Sequence, residues 1–599
     1  MLHSEEIIGS ARKYYKMSLK TLSYGICTES HMARIEKGER SVEKLMFEAL
    51  YQRIGKYSGR YELLVNLDEY QRYMERRRVK QYLDEKKYKE AELIIENYKN
   101  TVKKKLDLQV MQLLECELKY RTGSSVLDCR NMLMDGIRYT IPSFSLERFE
   151  EFYYSRIEMV MVQQYVRFTE LMGDTEYAVD MYERILSYLE QERYDRSERA
   201  ILYSYVGYLL TQNYIEQRQY DKAIKLAQKT YEETLKAQTV SFVVELKECI
   251  TTCREKLGYD TEIEKRYIRV LKDMLKKYGA KDILDYFPRH IEENLFCVND
   301  IVKQRRRMFG IIQEDFLDIC STSTISLIEN KHRTIRDDKR ETLLHEMKLL
   351  SGTYIGSVDA VDWEIYELLN MVNDCVMSYD ADGAEEILDT VEKKYDLTTI
   401  NSKQHLYILR EQLNIMRTGK TSELIEEIEE LLKESLGDFK NQSLDGVILL
   451  ENEMHLLERI ITRHKNEEQY DKAMFYLYPL AKTYSEADMK DTYKYVNVCR
   501  YIGDVLGEAG KVDEANEYVI EGIKGAVQAD FMPYLKNLSY CYVWNIFNKK
   551  KSINKDELLR CKEMLEWCYI LACIYGNDYA KAQIVQWREQ FELESDIIL

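Results

Sequence analysis

A chain of 599 residues is longer than one hydrophobic core can serve, so several domains or a repeat array are expected. Only 4 prolines and 24 glycines interrupt it, which favours an almost wholly helical protein. A formal net charge of −17 excludes a general affinity for nucleic acid and confines any such contact to local basic segments. No apolar run approaches the roughly 18 residues of a membrane-spanning helix. The start, MLHSEEIIGS, has no basic stretch followed by an apolar one, so a cytoplasmic location is expected. On that view the 13 cysteines are reduced and mostly buried thiols.

In chain order, the first basic segment comes at once. Residues 1–60 hold eleven Lys/Arg against seven Asp/Glu, a surplus of +4. Residues 7–56 fit five short helices. IIGSARKYYK is the first and SLKTLSYG the second, with Ser18 as its N-cap. A tight turn at Gly25-Ile26-Cys27 follows, and Thr28 caps a third helix, ESHMARIE, that ends at Gly38. In such a helix-turn-helix the third helix enters the major groove with its N-terminal residues toward the bases. Thr28, Glu29, Ser30, His31 and Arg34 are therefore candidates for base contact, and Lys20, Lys37 and Arg40 for phosphates. Met32 and Ile35 point inward. Arg12 and Glu36 are expected to pair within the fold, because a lone buried charge is costly.

A shorter period follows. YKEAELI (88–94), EYAVDMYERIL (176–186) and QYDKAIKLAQK (219–229) each place apolar residues three, four and seven positions after a small one. GAEEIL (383–388), QYDKAMFYLYPLA (469–481) and KVDEANEYVIEGI (511–523) do the same. This pattern predicts the second helix of a tetratricopeptide-like pair, and Gly503 stands twelve residues before Ala515 as such pairs require. Stacked pairs form a solenoid with a concave groove.

The chain also repeats as a whole. A shift of 293 residues puts Ile26-Cys27 on Ile319-Cys320, Ile35-Glu36 on Ile328-Glu329 and Arg40 on Arg333. The seam is expected near residues 285–298, where Pro288 breaks helix. In the second copy, residues 301–352 carry ten basic and eight acidic residues, a surplus of +2. Its second-helix region, GIIQEDFLDIC, carries Glu314, Asp315 and Asp318, and Lys331 replaces the terminal glycine. Thr322, Ser323 and Thr324 are its candidate readers, with Arg305, Arg306, Arg307, Arg333 and Arg336 to attract phosphate. The expected fold is all-α, with lambda-repressor-like helix-turn-helix domains plus a tetratricopeptide-like α-solenoid in two tandem copies. The borders are expected at 1–62, 63–292, 293–356 and 357–599.

Arg12, the SLKTLSYGIC turn and the ARIEKG helix end resemble the XRE/Cro-type helix-turn-helix. GICTESHMARIEKG, KKYKEAELI, MGDTEYAVDMYERIL and RQYDKAIKL, taken together, resemble the peptide-responsive RNPP regulators over roughly residues 5–285. The resemblance implies a transcription regulator of the quorum-sensing kind that binds double-stranded operator DNA as a dimer. It also implies a short re-imported signalling peptide, held in the solenoid groove, that shifts the placement of the DNA readers. Family members clamp that peptide with Asn side chains. The matching positions hold Gln163 and Ser204, with Arg167 one turn from Gln163, and Asn497 lies on the corresponding face of the second half. A homodimer and a single-chain pseudo-dimer both remain open.

No G-x-x-x-x-G-K-[ST], G-x-G-x-x-G or H-E-x-x-H stands in the sequence, and the eight histidines do not pair with cysteines at zinc spacing. A non-enzymatic chain without metal or cofactor is expected. The rival to a DNA-binding regulator is a tetratricopeptide adaptor for protein partners in which both helix-turn-helix units are structural.

Overall fold

The computed structural model describes residues 6–236, 238–280, 295–347, 349, 354–419, 425–549, 552–595 and 597–598. The fold is all-α and solenoid-like, with three very short strands. Four helices open the chain: α1 (Glu6–Tyr14), α2 (Leu19–Ser23), α3 (Glu29–Ile35) and α4 (Lys44–Arg53). The sequence predicts five over this stretch. After strand β1 (Glu62–Val65) come antiparallel pairs: α5 (Leu67–Asp84) with α6 (Tyr88–Thr101), and α7 (Lys105–Arg121) with α8 (Val126–Arg138). Next are α9 (Arg156–Leu171) with α10 (Thr175–Leu189), α11 (Arg196–Glu216) with α12 (Tyr220–Lys236), then α13 (Val243–Lys256) and α14 (Glu262–Lys277).

Strand β2 (Leu295–Cys297) leads into α15 (Val298–Met308), α16 (Thr322–Glu329) and α17 (Asp337–Glu346), and β3 spans Tyr354–Ile355. A second run of pairs follows: α18 (Trp363–Met377), α19 (Ala381–Lys394), α20 (Ile400–Thr418), α21 (Ile425–Leu436), α22 (Glu451–Asn466) and α23 (Tyr470–Glu486). It closes with α24 (Tyr493–Glu508), α25 (Val512–Gln528), α26 (Pro533–Lys549), α27 (Lys555–Ile574) and α28 (Asp578–Gln590). Pro288 and most of the expected seam lie outside the described residues.

Small residues set the helix spacing in both runs. A Cβ on Gly207 of α11 would stand 2.3 Å from Thr230 Oγ1 of α12, and one on Gly503 of α24 would stand 2.5 Å from Val519 of α25. These helices approach as closely as they do because no side chain intervenes. The carbonyl oxygen of buried Ala515 lies 3.5 Å from the same added Cβ on Gly503. Left-handed residues also recur at a near-constant spacing: Lys86 and Tyr379, Gly38 and Lys331, Lys16 and Gly310, Arg218 and Gly510.

Packing crosses the borders expected from sequence. The strands form one sheet in the order β2-β1-β3, with β1 parallel to β2 and antiparallel to β3. Alternate residues of β1 enter different cores, as a period of two requires. Leu63 and Val65 join a cluster that unites α1–α4 with Trp363, Leu369, Leu388 and Leu413 of the second run. Leu64 joins another that unites α15–α17 with α21–α24. A third cluster spans α6–α14 and continues into α25–α28. In the first of these, Phe47, Tyr51, Tyr61, Trp363 and Tyr366 stack or meet edge-on at centroid distances of 5.3–6.1 Å. Such aromatic pairs add to simple area burial. Trp363 is fully buried, and its backbone N–H donates to Ser10 Oγ at 2.8 Å.

One carboxylate at the start of the solenoid is held against its charge. Glu69 accepts the Lys44 N–H at 2.6 Å and so ties α4 to α5. Burial, then the nearby Glu43 carboxylate, push its pKa up to about 7, against the lowering by Lys44 N–H, Arg72 and Arg76. A carboxyl raised in the folded state contributes its full stability below the unfolded value near 4.5 and loses it as pH rises through about 7. Glu69→Gln keeps the acceptor and removes the charge. It is expected to stabilise the fold by up to about 3 kcal/mol at pH 8, with a higher thermal midpoint, and by less than about 1 kcal/mol at pH 5. Equal effects at both pH values, read by calorimetry, would contradict this.

Candidate nucleic-acid interface

The unit α1–α4 builds its surface from a small buried frame. Ser18 Oγ accepts from the Thr21 N–H at 3.0 Å and starts α2, while Thr28 Oγ1 accepts from the His31 N–H at 3.2 Å and starts α3. Gly38, left-handed, ends α3, with its N–H on Ile35 O and the Glu39 N–H on Arg34 O. Met32 and Ile35 are fully buried. Arg12 makes a two-pronged bond to Glu36, at 2.5 and 2.8 Å, and donates its remaining arm to Met17 O at 2.6 Å. Both charges are thus consumed inside the fold, which leaves them structural.

What remains outward is the nominated set. Lys20, Thr28, Glu29, Ser30, His31, Arg34, Lys37 and Arg40 are all exposed. They line the start of α3 and the turns on either side. Arg34 meets Glu39 at 3.4 Å, but both are half exposed, so the pair competes weakly with an external anion.

The turn before α3 is clamped to the solenoid. Gly25 is left-handed, and a Cβ there would lie 1.9 Å from the Thr140 carbonyl oxygen. Arg53, fully buried, donates to Tyr24 O at 2.6 Å, Leu22 O at 3.3 Å and Thr140 O at 3.2 Å. Its Nη2 and Nε bind Glu158 at 2.5 and 3.2 Å. Glu158 in turn accepts the Ser155 N–H at 2.6 Å, completing the capping box that begins α9. Burial alone would raise the Glu158 carboxyl; the Arg53 charge and the bonds from Arg53, Thr140 and Ser155 outweigh it and hold the pKa below the ordinary value. Lys105 reaches Gly25 O, and Tyr24 Oη meets Ser143 Oγ at 2.7 Å. Sequence gives no sign of this clamp, since Arg53 and Glu158 stand 105 residues apart.

The second unit differs at the same positions. Its expected second helix is a single 3-10 turn, Gln313–Phe316, closed by Asp315 on the Ile312 N–H at 3.0 Å. Ser321 caps α16. Ser323, Arg333 and Arg336 are exposed, Thr322 and Thr324 half-buried, and Arg333 reaches Thr324 Oγ1 at 3.5 Å. Two of its expected phosphate-attracting arginines are spent internally. Arg306 pairs with Glu329 at 2.5 Å and donates to Ile311 O at 2.7 Å, the arrangement of Arg12 over again. Arg305 is fully buried against Glu453, at 2.7 and 2.9 Å, and the Ser435 and Ile448 carbonyls. Arg307 is exposed.

The expected peptide-binding residues are mostly occupied by helix packing. Gln163 is buried and donates to Leu202 O at 2.9 Å, with its own oxygen unpartnered. Ser204 is buried between α11 and α12, on Ala200 O at 2.8 Å and Thr234 Oγ1 at 2.7 Å. These two therefore do not form an open clamp. Arg167 is half-exposed and pairs with Glu170 at 2.6 Å. Asn497 is buried, donating to Glu458 and accepting from Arg500 at 3.0 Å.

Around Asn497 lies a charged cluster that sequence reading passed over. Arg500 stacks on Tyr501 at 4.0 Å and near Tyr534 at 5.5 Å. His455 approaches Glu458 at 3.5 Å, and Arg459 pairs with Glu411 at 3.0 Å. Burial would lower the His455 pKa, yet the Glu458 hydrogen bond and charge raise it. Close by, burial pushes His405 down to about 4 despite its bond to Asn452. In the first half, a cavity of 480 Å³ opens among Glu183, Glu190, Tyr203, Tyr214, Lys222 and Lys229, where each lysine pairs with a glutamate at 2.6–2.8 Å.

Among the described residues no three His, Cys, Asp or Glu side chains gather as a metal site, and no helix is long and apolar enough to cross a membrane. The 13 cysteines are all free thiols. No protein-family model and no curated protein matches the chain.

The clamp makes a direct prediction. Glu158→Gln strands a buried guanidinium and is expected to destabilise the protein by about 3–5 kcal/mol, whereas exposed Arg34→Ala changes stability by less than about 0.5 kcal/mol. Denaturant unfolding of both variants checks it; equal, small losses would contradict the clamp.

Proposed function

We propose that the chain is a sequence-specific DNA-binding transcription regulator of the cytoplasm, in which the exposed start of α3 meets the major groove of operator DNA. One observation carries this reading. Eight exposed polar or charged side chains surround α3: Lys20 on α2, Thr28, Glu29, Ser30, His31 and Arg34 at and along α3, and Lys37 and Arg40 beyond its end, while Met32 and Ile35 on its inner side are fully buried. A surface of this kind answers both demands of a DNA reader, cations for phosphates and polar side chains for base edges. The resemblance to RNPP regulators points the same way, and with it a short signalling peptide as effector. Within the solenoid, the Glu458–Asn497–Arg500 cluster is the favoured place for that peptide. It sets opposite charges and an amide side by side, a match to the charged groups and backbone of a short peptide. The first-half positions Gln163 and Ser204 lack such charges.

The Arg53–Glu158 clamp supplies the link between solenoid and reader. Glu158 caps α9, and Gln163 and Arg167 lie further along the same helix, so a shift of α9 moves the turn that precedes α3. An effector that favours one placement of α9 thereby favours one placement of the reader.

Gel shifts over genomic promoter fragments test the reading. Arg34→Ala is expected to weaken binding about tenfold or more, and Lys37→Ala to weaken it on all sequences while lowering the salt slope by about 0.9. Absence of any preferred fragment at low ionic strength would contradict it. For the effector, titration calorimetry with C-terminal peptides from a neighbouring small reading frame is expected to give heat that Arg500→Ala abolishes. No heat from any such peptide would count against peptide control.

A further inference from the structure

We infer that the chain is a single-chain pseudo-dimer with one working reader: its second half fills the place of a partner subunit, and only the α2–α3 unit engages duplex DNA. The inference rests on the DNA-binding reading above and specifies the operator it requires.

The contacts between the halves come in exchanged pairs. Glu62 of β1 pairs antiparallel with Ile355 of β3, which stands 293 residues later, the shift that aligns Ile26 with Ile319. A strand position facing its own counterpart, antiparallel, is the mark of a two-fold axis. At the far end, the Val240 N–H donates to Asp530 O at 3.4 Å and the Met532 N–H to Gln238 O at 2.9 Å. A shift of 292 residues, which sets QYDKA (219–223) on KVDEA (511–515), converts one of these bonds into the other. Gln238 and Asp530 are both left-handed, at φ 57° and 58°. Between these ends, Ser10 of the first unit holds Trp363 of α18, and Thr334 of the second holds Asp68 of α5 at 2.9 Å. Each helix-turn-helix unit thus leans on the first solenoid helix of the opposite half. Arg77 of α5 pairs with Asp491 ahead of α24, while Asp374 of α18 pairs with Arg196 at the start of α11, at 3.1 Å. A surface used twice over inside one chain is no longer open to a second chain.

The two readers are not equal. The 293-residue shift sets Gln313 where the first unit has Lys20, Leu327 where it has Arg34 and Asn330 where it has Lys37. Leu327 is 43% exposed, and Ile312 and Leu317, at 55% and 62%, stand exposed beside the acidic Glu314. Three exposed cations of the first unit have no cationic counterpart and Glu314 adds an anion, so this face, with Arg307, Arg333 and Arg336 still exposed, keeps less of the electrostatic term that supplies most non-specific affinity. The second unit keeps the buried pairs Arg306–Glu329 and Arg305–Glu453, which hold its shape, while α16 itself carries no cation.

Light scattering and footprinting of the full-length chain on its preferred promoter fragment decide the matter. The expected result is a monomer in solution, a complex of one chain per duplex and protection of a single half-site. Affinity is expected to fall about tenfold or more for Arg34→Ala and to stay within about twofold for the double variant Arg333→Ala/Arg336→Ala. All three side chains are exposed, so the variants test contact rather than folding. Two chains per duplex, two half-sites protected a helical turn apart, or a loss in the double variant equal to that of Arg34→Ala would overturn the inference and leave the DNA-binding reading standing. No binding to any fragment would overturn both.

Discussion

The buried ion pair between Arg53 and Glu158 is the constraint from which the placement of α3 follows. Arg53 belongs to α4, the last helix of the first unit, and Glu158 to the first turn of a solenoid helix. Taking both charges out of water is costly, and the cost is offset only because every remaining donor finds an acceptor. Three of those acceptors are the Leu22, Tyr24 and Thr140 carbonyls, so the pair fixes the turn before α3 to the solenoid wall. Gly25 completes the fit, since any side chain there would collide with Thr140. The second half solves the same problem differently. Glu453 stands where Glu158 stands, yet it is met by Arg305 of the first helix of its unit rather than by a residue of the fourth.

A solenoid usually leaves its ends independent, because each repeat touches only its neighbours. Here the described ends are tied together. A three-stranded sheet feeds two cores from opposite faces, and α14 packs on α27 through Tyr278–Trp567 and Tyr267–Tyr569. Glu62 at the sheet meets Lys494 at 2.5 Å and accepts the Glu451 N–H at 2.8 Å, which joins β1 to the heart of the second run. Movement of one half relative to the other would have to break these buried polar contacts together. The structure therefore favours effects transmitted along a helix such as α9 over a hinge between halves.

Much of the first unit was legible in the sequence. Ser18, Thr28, Gly25 and Gly38 announced caps and turns by residue type, and Met32, Ile35, Arg12 and Glu36 followed from spacing on short helices. Such features depend on neighbours within one or two turns. What could not be read depends on distant partners. The burial of Arg305 comes from a glutamate 148 residues away. Gln163 and Ser204 looked like surface residues because a polar side chain between solenoid helices carries no periodic mark.

The most direct measurement places a photo-crosslinker at position 30 and, in a separate protein, at position 323, each with the preferred promoter fragment. The account requires strong DNA adducts from position 30 and none from 323. Adducts from 323 alone, or from neither position on a fragment that the protein binds, would show that α3 is not the DNA-reading element.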